Sequence, residues 1–143
     1  MAISGLASSV SDDVTVVFLD ANVLAKPVTR TILMAGGLPS GFRAVWSIAA
    51  EREASRHMRS RAIAPSVVRE RLGLTLAPSG TGSERFARTK GADRQILADT
   101  VASGAHFLVT EDVDDYATDD LGLVRVSAVN PGLFLAERLT QDA

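Results

Sequence analysis

The 143-residue chain contains no cysteine. That absence removes disulfide frameworks, thiolate nucleophiles and thiolate metal sites, zinc fingers included, and gives no sign of an oxidising compartment. Long apolar runs are missing too: the run that follows residue 13 is broken by Asp20 and Asn22 long before it could span a bilayer. Residues 1–13 lack the basic region of a secretory signal. Together these absences predict a cytoplasmic protein with no membrane partner. Internal repeats are absent. There is no P-loop either, because Gly80-Thr81-Gly82-Ser83 has neither a preceding strand nor a Gly-Lys-Ser/Thr ending. What is present, 46% hydrophobic and 22% charged residues, suits a folding globular chain. The length predicts one domain over 1–143, with 1–13 expected as a flexible N-terminus.

The net charge of −2 hides an uneven distribution. Residues 41–90 carry ten bases and four acids, whereas residues 91–143 carry three bases and ten acids. A basic strip attracts phosphates and an acidic cluster holds a divalent cation, so the pattern points to metal-assisted nucleic-acid chemistry. Two solvated faces of opposite sign are the plainer explanation of the same counts.

Buried-strand patterns recur along the chain. Residues 14–19 (VTVVFL) form a continuous β-branched and apolar run bounded by Asp20-Ala21-Asn22. A short helix is predicted over 29–35, ended by Gly36-Gly37, then a strand over 42–46. Over 47–58 Ala50, Ala54 and Met58 recur at helical spacing with Arg52, Arg56 and Arg59 opposite, predicting a helix with a basic outer stripe. Residues 78–91 read as a loop. Asp93 is expected to cap a helix whose Ile96, Leu97, Thr100 and Val101 face inward and which Gly104 ends. Further strands are expected over 106–110 and 124–126, and a terminal helix from Asn130-Pro131 through Leu139. Strands alternating with helices, with buried runs in place of period-two strands, predict a three-layer α/β/α sandwich with a mainly parallel central sheet.

In such sheets functional groups gather beyond the carboxyl ends of the strands. Asp20 directly follows the first strand and Asp112 lies two residues past HFLVT, with Asp114 and Asp115 close behind; Asp93 opens a helix on what would be the same edge. Each has an ordinary explanation as a turn former or helix cap. Jointly, carboxylates converging on one edge repel each other unless a hard cation such as Mg²⁺ or Mn²⁺ sits between them.

The stretch Val17-Phe18-Leu19-Asp20-Ala21-Asn22-Val23-Leu24, and the stretch from Ala92-Asp93-Arg94 through Gly104-Ala105-His106-Phe107-Leu108-Val109-Thr110-Glu111-Asp112-Val113-Asp114-Asp115-Tyr116, resemble the PIN domain ribonucleases, especially the VapC-type toxins of toxin–antitoxin pairs. The resemblance covers most of the chain. It implies a PIN-like fold and Mg²⁺- or Mn²⁺-dependent endonucleolytic hydrolysis of RNA. Asp20, Asp93 and Asp112 would be acids of the metal site, Asp115 a fourth, and Asn22 and Thr110 polar groups that orient them. It further implies a cognate antitoxin, a homodimer, and an RNA substrate with tRNA and mRNA both open.

The family also places a glutamate on the helix after the second strand. Glu51 and Glu53 lie about 200° apart on a helical wheel and flank the Ala50/Ala54/Met58 face, so periodicity does not choose between them. The spacing from Trp46, similar to that in family members, selects Glu53, leaving Glu51 expected in solvent near the helix start. His57, one turn beyond Glu53, is expected as an ordinary surface or core histidine. RNA contacts are assigned to Arg52, Arg56, Arg59 and Arg61 and to Arg85, Arg88 and Lys90, among which Phe86 is either a stacking platform or a core anchor.

Two other classes compete. Aspartate at a strand end also occurs in haloacid-dehalogenase phosphatases and receiver domains, although Asn22 stands where that phosphatase motif needs a second aspartate. The second is a PIN-like module that binds RNA or protein without cutting, against which the presence of all four acids argues.

Overall fold

In a computed structural model, which describes residues 14–59 and 61–142, the chain is an α/β protein built on a four-stranded, all-parallel sheet flanked by helices. The expected flexibility of 1–13 lies outside the described residues. Strand β1 (Thr15–Leu19) is central; β2 (Phe42–Val45), β3 (Phe107–Val109) and β4 (Ser127–Val129) complete the order β2-β1-β3-β4. Val17, Phe18 and Leu19 are fully buried, which is why β1 reads as an unbroken apolar run. The register aligns Phe18 with Val45 and Leu108, so alternate residues of three strands share a face.

Helices α1 (Ala21–Leu24) and α2 (Pro27–Gly37) follow β1, and α3 (Ile48–Arg56) and α4 (Pro65–Leu72) follow β2. Helix α5 (Asp93–Ala102) precedes β3, α6 (Thr118–Val124) precedes β4, and α7 (Pro131–Asp142) ends the chain. Phe134 of α7 meets Phe42 edge-on at 5.0 Å between ring centroids and Phe107 at 5.8 Å, sealing one sheet face with an aromatic cluster. Among the described residues no helix is long and apolar enough to cross a membrane.

Besides α2, which extends beyond 29–35 and runs through Gly36-Gly37 instead of ending before them, four parts of the fold differ from expectation. The strand expected over 124–126 is instead the end of α6 and the turn after it, with β4 pairing from Ser127 opposite Phe107. Three residues, Val124-Arg125-Val126, carry too little periodicity to tell helix from strand. Arg125, at φ 56°, makes the left-handed turn between the two elements. Second, α3 is shorter than 47–58: Ser47 caps it by accepting from the Ala50 amide, and it stops at Arg56. Met58 and Arg59 therefore lie beyond the helix, and only Arg52 and Arg56 share its surface. Third, Asp93 is not the cap of α5; Ala92 occupies that position and Asp93 is the first helical residue, with its carboxyl not spent on the helix end. Fourth, α4 is an additional helix that periodicity does not signal, though it carries Pro65 at its first position and Gly73, at φ 67°, as its left-handed C-terminal stop.

The loop over 78–91 is irregular apart from one 3₁₀ turn at Ser83–Arg85, yet it is bolted down at both ends. At one end the Gly80 amide donates to Asp99 Oδ1 at 2.7 Å and Gln95 Nε2 donates to the Gly80 carbonyl at 2.9 Å. A Cβ at Gly80 would stand 2.0 Å from the Ala98 carbonyl oxygen, so only glycine permits this approach. At the other end buried Asp120 Oδ2 accepts from the amides of Arg88 and Thr89 and from the Thr89 hydroxyl, the closer two at 2.8 Å. Phe86 between these anchors is fully buried, which settles it as a core residue and not a stacking platform.

Candidate metal and nuclease site

Beyond the carboxyl ends of β1 and β3 lies a cavity of about 380 Å³ lined by Asp20, Ala21, Asn22, Ala25, Lys26, Glu53, His57, Asp93, Asp112 and Asp115. Five elements deliver the five acids. Asp20 terminates β1, where it also caps α1, its Oδ1 accepting from the Ala21 amide at 2.7 Å. Glu53 comes from α3 and Asp93 from the first position of α5. Asp112 follows β3, and Asp115 closes the 3₁₀ turn Val113–Asp115. Asp20 is buried, Glu53 and Asp93 are half-buried, and Asp112 and Asp115 are exposed at the rim.

Polar neighbours hold this rim in place. Thr110, fully buried at the end of β3, accepts the Asp112 amide on its hydroxyl at 3.1 Å. Asn22 Nδ2 donates to Thr110 Oγ1 at 3.2 Å and to Asp112 Oδ2 at 3.3 Å, while its Oδ1 accepts from the Glu111 amide at 3.1 Å. One asparagine thus ties α1 to the loop after β3. Tyr116, whose side chain is buried, donates from its hydroxyl to Asp20 Oδ2 at 2.8 Å.

The electrostatics are those of a site with a deficit of positive charge. Burial raises the Asp20 pKa above the ordinary carboxylate value, opposed by donation from Tyr116, Thr110 and the Ala21 amide, and the charge of Glu53 adds to the rise. Asp93 is pushed up to about 6, first by burial and then by repulsion from Asp20, Asp115, Glu53 and Asp112. Burial, joined by the charges of Asp20 and Asp93, holds the Tyr116 phenol far above its usual value, so at neutral pH it is a hydrogen-bond donor. Lys26 is the lysine of the lining, and it is drawn to Glu111 at 3.3 Å.

The donor chemistry fits a hard divalent cation: apart from the exposed His57 imidazole, the cavity's possible ligands are carboxylates and the Asn22 amide oxygen. Among the described residues no three acidic or imidazole side chains are gathered closely enough to hold one ion between them. Mg²⁺ does not demand that, since it keeps several waters and needs only one or two carboxylates. Asp20, with Asp112 or Asp93, would hold it, and Glu53 and Asp115 would contribute charge from across the cavity.

Sequence reasoning brings Asp20, Asn22, Glu53, Asp93, Thr110, Asp112 and Asp115 to one edge, and the structure gathers them there. It does not gather the basic residues. Arg52, Arg56, Arg59, Arg61, Arg85, Arg88 and Lys90 are exposed and none lines the cavity, and Arg88 is paired with Asp119 at 2.7 Å. His57 does line it. Glu51 departs furthest from expectation: it is buried, not solvent-facing, accepting from Trp46 Nε1 at 2.9 Å and from Arg69 Nε and Nη2 at 2.8 and 3.1 Å. Its partner Arg69 sits on α4, the helix that periodicity does not signal, so nothing local reveals the pair. Lys26 and the Tyr116 hydroxyl escape sequence reasoning for a similar reason, since each acquires its role from a residue distant in sequence. No family model, curated protein or solved structure matches the chain to a significant degree, so its chemistry has to be read from the side chains themselves.

Proposed function

We propose that this protein is a Mg²⁺- or Mn²⁺-dependent endoribonuclease of the PIN domain kind, the toxin of a toxin–antitoxin pair. The observation that carries the proposal is the convergence of Asp20, Glu53, Asp93, Asp112 and Asp115 on one cavity in which Asp93 is pushed up to about 6 by burial and the other four acids. Such mutual repulsion is a cost to the fold that a bound cation removes. When bound, a divalent cation supplies a polarised phosphoryl oxygen and a water acidic enough to serve as nucleophile at neutral pH. Asp20 and Asp112 would hold the cation, Asn22 and Thr110 hold the Asp112 segment in place through their hydrogen bonds, and Asp93 or Glu53 would accept a proton from water. No serine, cysteine or histidine nucleophile is then needed.

The exposed Arg52 and Arg56 share helix α3 with Glu53, which supports phosphate attraction close to the acids. An antitoxin and a second copy of the chain come with the reading. Exposed Val28, Ile32 and Leu133, beside a hollow lined by Ile32, Pro131 and Leu135, offer apolar surface for such contacts.

Metal-dependent melting and RNA cleavage test the proposal together. Mn²⁺ at 100 times its dissociation constant should stabilise the protein by about 2.7 kcal/mol, and Asp20→Asn should lose most of that gain along with cleavage. Absence of both a thermal shift and Mn²⁺-dependent cleavage in the unsubstituted protein overturns it. Hydrolysis of a phosphate monoester in place of RNA would favour the phosphatase class, and RNA binding without cleavage the non-catalytic one.

A further inference from the structure

Tyr116 is the only tyrosine in the chain. Its side chain is packed in the hydrophobic core with 3% of its surface exposed. A phenylalanine would supply the same apolar volume, so packing does not account for the hydroxyl, which is costly to bury unless it is hydrogen-bonded. Its partner is Asp20 Oδ2 at 2.8 Å, across 96 residues of sequence. The other oxygen, Oδ1, receives the Ala21 amide at 2.7 Å. Both oxygens of Asp20 are therefore held by the protein, with the Thr110 hydroxyl a further donor to the same carboxylate.

The position of Tyr116 in the chain adds a second element. It directly follows the 3₁₀ turn Val113–Asp115 and closes it, its amide donating to the Val113 carbonyl at 3.3 Å. Asp112, which precedes that turn, and Asp115, its last residue, are exposed and line the cavity with Asp20. The phenol is thus the bolt between the turn that carries two rim acids and the acid at the end of β1. On the opposite side of the same loop Asn22 makes a comparable tie to Thr110 and Asp112.

We propose that Tyr116 is a positioning residue for the cation site. Its hydroxyl orients the Asp20 carboxylate and sets the Asp112–Asp115 turn at a fixed distance from it. The inference rests on the proposed metal-dependent function and deepens it by naming a residue that acts on the metal only through Asp20. Groups that orient metal ligands in this way typically change metal affinity or activity by about 10- to 100-fold when removed.

Tyr116→Phe isolates the hydroxyl. Calorimetric titration with Mn²⁺, run well below the melting temperature of the folded variant, should show affinity weakened about tenfold or more. RNA cleavage should fall at limiting Mn²⁺ and recover at saturating Mn²⁺, so that the metal requirement changes more than the maximal rate. A merely structural role would lower the melting temperature equally with Mn²⁺ and with EDTA and leave the affinity of the folded protein unchanged. Because the chain has one tyrosine, biosynthetic 3-fluorotyrosine gives a single ¹⁹F resonance at position 116. Titration with diamagnetic Mg²⁺ should move that resonance along the same curve as binding, and this arm decides the matter if Tyr116→Phe does not fold. Equal Mn²⁺ affinity in folded Tyr116→Phe and the unsubstituted protein, or a resonance unmoved at saturating Mg²⁺, overturns the inference alone. An unsubstituted protein that neither binds Mn²⁺ nor cleaves RNA overturns the proposed function, and the inference with it.

Discussion

Glu51 and Glu53 stand two residues apart on α3 and meet opposite surroundings. Glu51 is enclosed by donors: the Trp46 indole and the Arg69 guanidinium both reach it, and although burial opposes its ionisation, those hydrogen bonds and the adjacent positive charge hold its carboxyl below the ordinary range. Glu53 looks into a cavity whose other acids are Asp20, Asp93, Asp112 and Asp115. One glutamate is neutralised inside the fold and joins α3 to α4. The other belongs to a group whose charge the fold leaves uncompensated. The proposed cation site rests on this contrast between a carboxylate paired within the fold and one that faces other acids. Asp120 is also buried, its Oδ2 accepting from the amides of Arg88 and Thr89 and from the Thr89 hydroxyl.

The largest effect should come from reversing the expected roles of the pair. Glu51→Gln removes the charge that Arg69 and Trp46 converge on and should destabilise the protein by about 3 kcal/mol, read as a fall in the denaturant midpoint. Glu53→Gln should leave the protein as stable as the original or more so in EDTA, because it subtracts one repelling charge, while impairing Mn²⁺ binding and RNA cleavage. Equal destabilisation by the two substitutions would erase the distinction between saturated and unsaturated acids.

A smaller effect should appear in the pH dependence of the metal-free protein. Asp93 in the folded state titrates near 6, above its ordinary value of 3.8. Between those values the native state therefore binds more protons than the unfolded one. The contribution of Asp93 is most favourable below about pH 4 and is lost as pH rises through 6, a difference of about 2 kcal/mol once screening is allowed for. In EDTA, the melting temperature of Asp93→Asn relative to the original should rise from pH 4 to pH 7. A constant difference across that range would mean that neither burial nor the neighbouring acids raise Asp93.

The smallest effect on stability is expected at the basic residues. Replacing Arg52, Arg56 and Arg59 together by Gln should change stability by less than about 0.5 kcal/mol, because all three are exposed. RNA affinity should fall and its salt dependence flatten in proportion to the number of phosphates these side chains neutralise. Unchanged affinity and slope would make these arginines an ordinary solvated surface. A loss confined to Arg52 and Arg56 would follow from their sharing α3, which Arg59 does not.

How much is legible in the sequence depends on the range over which each signal acts. The β1 run VTVVFL and the helix from Asp93 to the Gly104 turn are local statements: periodicity, burial and a left-handed glycine at φ 80° are written in adjacent residues. Residues 124–126 mislead because the segment is too short for periodicity to discriminate, and α4 escapes a periodicity reading although Pro65 and Gly73 bracket it in the usual order. Asp20, Asp93 and Asp112 can be placed on one edge because a parallel sheet puts the carboxyl ends of its strands together. The partner of Glu51 cannot be placed, because no periodicity relates α3 to a side chain on α4.

By itself, then, the order of residues determined the parallel α/β architecture and the placing of Asp20, Asp93 and Asp112 at one strand-end edge. Both follow from local patterns and from a topological rule that needs no side-chain coordinates. Tertiary structure alone decided which acids are spent within the fold. Glu51, Asp120 and Asp20 are ordinary carboxylates in the sequence, and their donors arrive only when α4, the loop over 78–91 and the Tyr116 turn close around them. Whether a carboxylate is saturated depends on donors brought from 18, 31 or 96 residues away, and such distances are fixed by packing and not by any pattern along the chain.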